Sequence, residues 1–511
     1  MSIRLKTALK YSPILALALL TIGCGGRTVT PPTTTSPPPP PVSSGPTYTQ
    51  GVFNASSTFQ AKCAVVRTGI DPATNTAFAD RAGSILEENH WLRSWSDELY
   101  LWYTEIPDQN PAGFTTTNSY FNVLKTNATT ATGTPRDQFH FSINSADYQQ
   151  QVSSGTSSGY GADLAILSSS VPRDIRIAYT EAGSPAALAP ASLARGAKIL
   201  EIDDVDAING GSQADVDVLN AGLFPSASGE THKFKVQDLG GAIRTFNIIS
   251  ATVTTHPVNL AKTIDIAGGK VGYLHFTTFG TTSAEQELIT AFTNFSNQGV
   301  TDLVLDLRYN GGGFLAIAGQ LGYMIAGAAN SQNRVFDNIV FNNKHTVTNP
   351  VTGNPLQPTP FYNTSLGFSV ASGQALPSLN LNRVFILSTS GTCSASEAVI
   401  NGLRGVDVEV ILVGSTTCGK PYGFFPTDNC GTTYFSIQFR GENDKGFGDY
   451  ADGFTPANTV PAAGEAIPGC AVSDDFTKLL GDETEAQFAT ALSYMANGIC
   501  PVVPKPENTF S

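Results

Sequence analysis

Positive charge is scarce in this chain. It carries 29 Lys and Arg against 42 Asp and Glu, a formal net charge of −13 over 511 residues. No basic stripe can be assembled from so few cations, so nucleic acid is excluded as a partner and anionic surfaces are repelled. Metal-binding spacing is missing as well. There is no Cys-x-x-Cys and no cluster among the six histidines, so neither a metal nor another cofactor is expected. No stretch approaches the roughly 20 consecutive apolar residues of a membrane-spanning helix. Charged residues make up 14% of the chain while glycine and small hydroxylated residues abound, the composition of a soluble exported body.

What is present begins with a targeting segment. Arg4, Lys6 and Lys10 form a basic start, and Pro13 to Ile22 an apolar run too short to cross a bilayer. It ends in Leu20-Thr21-Ile22-Gly23-Cys24, which resembles a bacterial lipobox with Cys24 as the lipidated residue. Thr21 stands where leucine is commonest, and ordinary secretion with nearby cleavage is the alternative. The expectation is an exported lipoprotein, anchored through Cys24 to the bacterial outer membrane and facing the periplasm. Residues 25–49 are rich in Pro, Thr and Ser, including Pro37 to Pro41, and read as a semi-rigid tether. The six remaining cysteines are an even number in an exported chain, which favours disulfides. Cys418 and Cys430 flank a turn and are the preferred pair.

The body divides into three. Residues 50–154 read as a helical cap domain: Trp91, Trp95, Leu99 and Trp102 recur at helical spacing, and Tyr120, Phe121 and Leu124 suggest a second helix. This region offers no catalytic signal. Residues 155–256 change to short strands and turns. Residues 257–505 carry α/β units, beginning with a strand at Val271–Phe276, an amphipathic helix at Ala284–Phe295 and a buried strand at Leu303–Leu307. That strand ends in Arg308-Tyr309-Asn310-Gly311-Gly312-Gly313, where three glycines let backbone N–H groups approach a ligand, or simply make a tight turn. His275 sits within a strand pattern and reads as a packed residue, not a base.

The most informative stretch runs from Arg383 to Tyr422. A buried strand at Val384–Leu387 leads to Ser394, where Glu397 three residues on completes a capping-box pattern. Ala398, Val399 and Leu403 give the helix its apolar face, and Gly405 stops it. A second buried strand, Val408–Val413, leads to Gly414–Lys420. A serine at a helix N-terminus faces unpaired N–H groups and the positive end of the helix dipole, which stabilise a developing oxyanion. Lysine can serve as its base when burial lowers its pKa. The plain alternative is a capping serine and a solvated lysine. Gly414–Lys420 also matches the first seven positions of a P-loop, but Pro421 stands at the eighth with no hydroxyl for magnesium, which argues against nucleotide binding. Cys393 offers a thiol nucleophile, although the cysteine count assigns it to a disulfide.

Two resemblances follow from these motifs. Gly159-Tyr160-Gly161, Gly183-Ser184-Pro185-Ala186-Ala187 and the Leu193–Val205 stretch resemble a PDZ domain of the bacterial protease type. That implies a groove in which a peptide C-terminus adds as a strand, its carboxylate near Gly159, Tyr160 and Gly161. The segments TTFG, LVLDLRYNGGG, GTCSASEAVINGL and VGSTTCGKPYG, in that order, resemble the C-terminal processing (tail-specific) serine protease family. The resemblance covers roughly residues 155–425 and implies a multidomain α+β protein: helical cap, PDZ-like β-rich domain, and crotonase/ClpP-like α/β catalytic domain. It assigns Ser394 as nucleophile and Lys420 as general base. Ala395 N–H and a glycine of the Gly312-Gly313 pair would form the oxyanion hole. Three features depart from the family pattern. The turn reads Asn-Gly-Gly-Gly where NPGG is usual, Lys420 lies 26 residues beyond Ser394, one more than in typical members, and Phe424 replaces a lysine-orienting glutamine. The implied function is an endopeptidase acting on proteins with apolar or unstructured C-termini. The alternatives are an inactive membrane-tethered peptide-binding scaffold and a hydrolase of non-peptide acyl bonds.

Overall fold

The computed structural model describes residues 45–459 and 464–501. The targeting segment with Cys24, and the tether up to residue 44, lie outside the described residues. No helix among the described residues is long and apolar enough to cross a membrane.

The largest core surrounds a six-stranded sheet. Its order is Val258–Ile266, Gly269–Phe276, Asp302–Asp306, Arg383–Ser388, Glu409–Gly414 and Gly469–Ala471. The first pair is antiparallel and the rest run parallel. Parallel strands are covered on both faces and so read as continuous apolar runs, as Val384–Leu387 and Val410–Val413 do. Helices Ser283–Gln298, Leu315–Ser331 and Ala395–Gly405 contribute to the core on one side, and Ala486–Asn497 packs on the other. The elements read from the sequence in this domain are thus present, each within a few residues of its expected bounds.

Residues 155–256 form a second six-stranded sheet around Ile175, Ile177, Ile199, Phe234 and Val236, packed by helix Gln213–Leu223, while Thr156–Gly159 and Ala251–Thr254 pair with each other in a two-stranded one. Arg195 of this domain reaches the larger one, pairing with Asp474 and donating to the Tyr309 hydroxyl at 2.8 Å.

The cap departs from the expected helical domain. It has one substantial helix, Ile85–Leu99, a short one at Thr117–Phe121, a third at Ser145–Ser154, one four-residue strand at Phe141–Asn144, and otherwise loops, 3-10 turns and two-residue strands. Trp102 does not share the helical stripe. The helix ends at Leu99 because Tyr100 turns extended to bury its ring, and Trp102 packs edge-on against Tyr422, ring centroids 4.7 Å apart. Nor does the cap close its own core. Trp91, Trp95 and Phe121 pack around Tyr434 of the larger α/β domain, and cap strand Phe141–Asn144 pairs with Thr432–Phe435. The expected Cys418–Cys430 pair is not formed. Cys430 bonds Cys63 of the cap, and Cys470 bonds Cys500.

Because Tyr434 is shared, Tyr434→Ala is expected to cost about 3–5 kcal/mol and to lower one cooperative thermal transition. A separate early melting of the cap in calorimetry would show that the two cores are independent.

Candidate active site

Strands Arg383–Ser388 and Glu409–Gly414 lie side by side with Ser388 opposite Gly414. Their following loops leave the same carboxyl edge of the sheet, where ligands of open α/β folds bind. One loop carries Cys393 and Ser394, the other Cys418 and Lys420. Cys393 and Cys418 are joined by a disulfide, Cα atoms 5.2 Å apart, and Cys418 N–H donates to Thr392 O at 3.0 Å. The lysine loop is therefore held by a covalent bond, but to the serine loop and not to Cys430.

Glu397 completes the junction. Its carboxylate is fully buried. One oxygen accepts from Ser394 N–H at 3.0 Å and Lys420 N–H at 2.8 Å. The other accepts from the Thr417 hydroxyl at 2.6 Å and Gly419 N–H at 2.8 Å. Burial pushes its pKa up, and the Thr417 hydroxyl and the three backbone donors oppose that. The capping-box pattern anticipated only Ser394, one of these four donors.

Ser394 adopts φ 57°, ψ −113° immediately before helix Ala395–Gly405. A left-handed φ on a non-glycine residue costs roughly 1–3 kcal/mol and persists only where its surroundings impose it. Here they include Glu397 and Gly312. A Cβ at Gly312 would lie 2.8 Å from Ser394 Cβ and 2.9 Å from Ala395 N, so only glycine fits. Asn310 fixes this turn: its carbonyl accepts from Cys393 N–H and the Ser396 hydroxyl, and its side-chain oxygen accepts from Gly312 N–H at 2.9 Å. Behind the turn, buried Arg308 donates to Asp306, Asp474 and Glu485. Burial raises the Asp306 pKa, but the Arg308 charge outweighs it and holds the group at about 2.

Lys420 is 8% exposed. Its Nζ sits 4.2 Å from the Phe424 ring centroid and 5.0 Å from that of Phe139, a cap residue. Burial pulls its pKa down to about 8, and the charges of Asp137 and then Glu397 limit the fall. Both backbones meet at Glu397, but no hydrogen bond joins Ser394 Oγ to Lys420 Nζ among the described residues.

The structure thus brings Ser394, Ala395, Lys420 and the Gly312-Gly313 turn together. Gly159, Tyr160 and Gly161 lie apart, in the β-rich domain. Tyr160 is largely buried there with its hydroxyl donating to Gly222 O at 3.0 Å. With Leu164, Leu223 and Phe234 it lines an apolar cavity of about 20 Å³, room for little more than one water-sized body. His275 is packed as expected: its Nδ1 lies 3.1 Å from Asn259 Oδ1, and burial lowers its pKa to about 4. Sequence reasoning missed Thr417, Asp137 and Phe139. Thr417 carried a positional signal, three residues before the lysine, whereas the two cap residues carried none.

Residues 270–425 match the profile of peptidase family S41, and residues 87–143 that of the peptidase S41 N-terminal domain. Both matches are to domains of the S41 peptidase family, and together they cover somewhat under half of the chain. It is 30% identical over 166 residues to the chloroplastic C-terminal processing peptidase of Tetradesmus obliquus, covering 30% of this chain and 32% of that protein. It is 28% identical over 242 residues to the carboxyl-terminal-processing protease of Picosynechococcus sp. (strain ATCC 27264 / PCC 7002 / PR-6), covering 45% and 49%. The matches therefore span from 32% to 49% of these relatives' length. A crystal structure from Bacteroides fragilis NCTC 9343, described as that of a candidate S41 protease, shares the fold. It aligns with TM-score 0.59 at 22% identity over 80% of this chain and 97% of its own.

A lysine whose pKa falls from 10.5 to about 8 on folding binds its proton more tightly when unfolded. It therefore destabilises the fold below pH 8, by about 3 kcal/mol. Stability is regained as pH rises from about 8 towards 10.5. Lys420→Met is expected to be more stable than wild type near neutrality, with the difference closing above about pH 10. Denaturant titrations of the pair across pH check this, and a difference independent of pH would contradict it.

Proposed function

We propose that this protein is a serine endopeptidase of the C-terminal processing type, with Ser394 as nucleophile and Lys420 as general base. One observation carries the reading. A lysine buried between two phenylalanine rings, and so poised to be neutral near pH 8, is tied through Glu397 to a serine in strained geometry at a helix N-terminus. An inert scaffold has no chemical need for that combination.

In the acylation step neutral Lys420 Nζ takes the Ser394 Oγ proton while Oγ adds to the peptide carbonyl. The oxyanion is received by Ala395 N–H, one of the orphan donors of its helix, and by Gly313 N–H, since Gly312 N–H is engaged by Asn310. Lys420 then passes its proton to the leaving amine, and water hydrolyses the acyl-enzyme by the reverse sequence. The β-rich domain acts as the PDZ module: an apolar C-terminus adds beside Ala162–Ser168 with its carboxylate at Gly159–Gly161. The cavity beside Tyr160 must widen for a side chain to enter. Anchoring through Cys24 and the tether would hold the body at a membrane on the periplasmic side.

Cleavage of an unfolded substrate with an apolar C-terminus by the whole oxidised chain tests the reading. Ser394→Ala and Lys420→Ala are each expected to lower the rate by roughly 10³-fold or more, with folding intact by circular dichroism. For wild type, kcat/KM should rise with pH through about 8, because the base must be deprotonated. Normal cleavage by Ser394→Ala overturns the site. A wild type that binds the peptide without cutting it replaces the reading with the scaffold, which Phe424 and the open Ser394–Lys420 pair would then explain.

A further inference from the structure

The lysine pocket is closed by the cap, the domain whose sequence carries no catalytic signal. Cap residues 137–140 run into strand Phe141–Asn144, which is locked in register against Thr432–Phe435 of the catalytic domain. This fixes Phe139 against Lys420 Nζ. Phe141 meets both Phe424, the other ring against the amine, and Phe435. Two residues before Phe139 stands Asp137, 1% exposed. One of its oxygens accepts from Phe139 N–H at 3.1 Å, and the other from the Tyr100 hydroxyl at 2.7 Å. Tyr100 is itself pinned by Thr126 N–H at 3.0 Å.

A buried carboxylate at such a place needs an account. Lys125 Nζ donates to the main-chain carbonyl of Asp137, not to its side chain. His140 Nδ1 lies 3.8 Å away, but burial lowers the ring's pKa to about 4, so it is neutral. Arg136 points elsewhere, pairing with Glu105 over Trp102. On the lysine side, Tyr422 is kept neutral by burial, its pKa pushed up to about 12. Glu397 is occupied by its four donors. Asp137, bonded to the backbone of the residue whose ring covers the Lys420 amine, thus acts on it by charge without a contact ion pair among the described residues, and in buried surroundings charges are felt beyond contact distance.

We propose that Asp137 is a positioning residue for the Ser394–Lys420 reaction: held by Tyr100, its carboxylate orients and stabilises the Lys420 ammonium that forms when Ser394 gives up its proton. It fills from the cap the role that Phe424, four residues beyond the lysine, has no polar atom to fill. The logic is that of a triad aspartate, which stabilises the protonated base without taking the proton. The inference rests on the dyad reading above, but its electrostatic core can be measured without catalysis.

The test is Asp137→Asn in the full chain. Removing the charge is expected to lower kcat/KM at alkaline pH roughly tenfold and to move the acid limb of the profile down by roughly 0.5–1 pH unit. A merely structural role would lower the rate and leave the limb in place. In parallel, 13Cε-lysine NMR of the Ser394→Ala protein, with the Lys420 resonance assigned by its loss in Lys420→Arg, reads the titration directly. The Lys420 midpoint should fall by the same amount in Asp137→Asn. An unchanged midpoint in folded Asp137→Asn overturns the proposal. Should that variant not fold, Tyr100→Phe strips a donor from the carboxylate and leaves its charge less shielded. The midpoint is then expected to rise, and no movement overturns the proposal. If wild type cleaves nothing yet the midpoint still falls in Asp137→Asn, the protease reading has failed and the Asp137–Lys420 coupling stands.

Discussion

Glu397 is buried in the heart of the α/β domain, where an ionised carboxylate without partners would be costly to keep. Its oxygens are satisfied only when two loops, one carrying the serine and one the lysine, both close upon it. Forming the core and assembling the site are therefore one event. The left-handed φ of Ser394 and the burial of Lys420 are unfavourable taken singly, and both persist because releasing either would strip donors from this carboxylate. The Cys393–Cys418 disulfide links the same two loops covalently.

The rest of the molecule extends this arrangement outward. Asn310 docks the glycine turn onto the serine loop, and the Arg308 cluster braces that turn from behind. Through Asp474 and Tyr309 the bracing reaches Arg195 in the β-rich domain. A contact from the candidate peptide-binding domain thus arrives within a few residues of the glycine turn. On the opposite flank the cap supplies Phe139 to the lysine pocket and Trp102 to the neighbouring Tyr422. It is stapled in place by Cys63–Cys430.

Much of the α/β domain was legible because buried parallel strands and their crossover helices write unbroken apolar runs and periodic faces into the chain. Ser394, Ala395, Lys420 and the glycine turn were legible because their elements follow one another at the same sheet edge. What failed had a common physical cause. Pairing Cys418 with Cys430 relied on nearness along the chain, whereas adjacent parallel strands put Cys418 beside Cys393 and freed Cys430 for the cap. Trp102 continued the helical spacing of Trp91 and Trp95, but Tyr100 ended the helix to bury its ring and bond Asp137. Glu397 looked like half of a capping box because three of its donors arrive from a loop that sequence spacing does not relate to it. Asp137 and Phe139 were invisible for the same reason: only the pairing of a cap strand with Thr432–Phe435 brings them to the lysine.

Reaction of the whole oxidised chain with a fluorophosphonate, followed across pH by mass spectrometry, tests most directly whether this junction makes an activated serine. A single phosphonyl adduct on Ser394, forming at a rate that climbs as Lys420 loses its proton near pH 8 and collapses in Glu397→Gln, is the result the structure leads us to expect. An adduct on another residue, or a rate at Ser394 that is flat with pH and indifferent to Glu397, would contradict it.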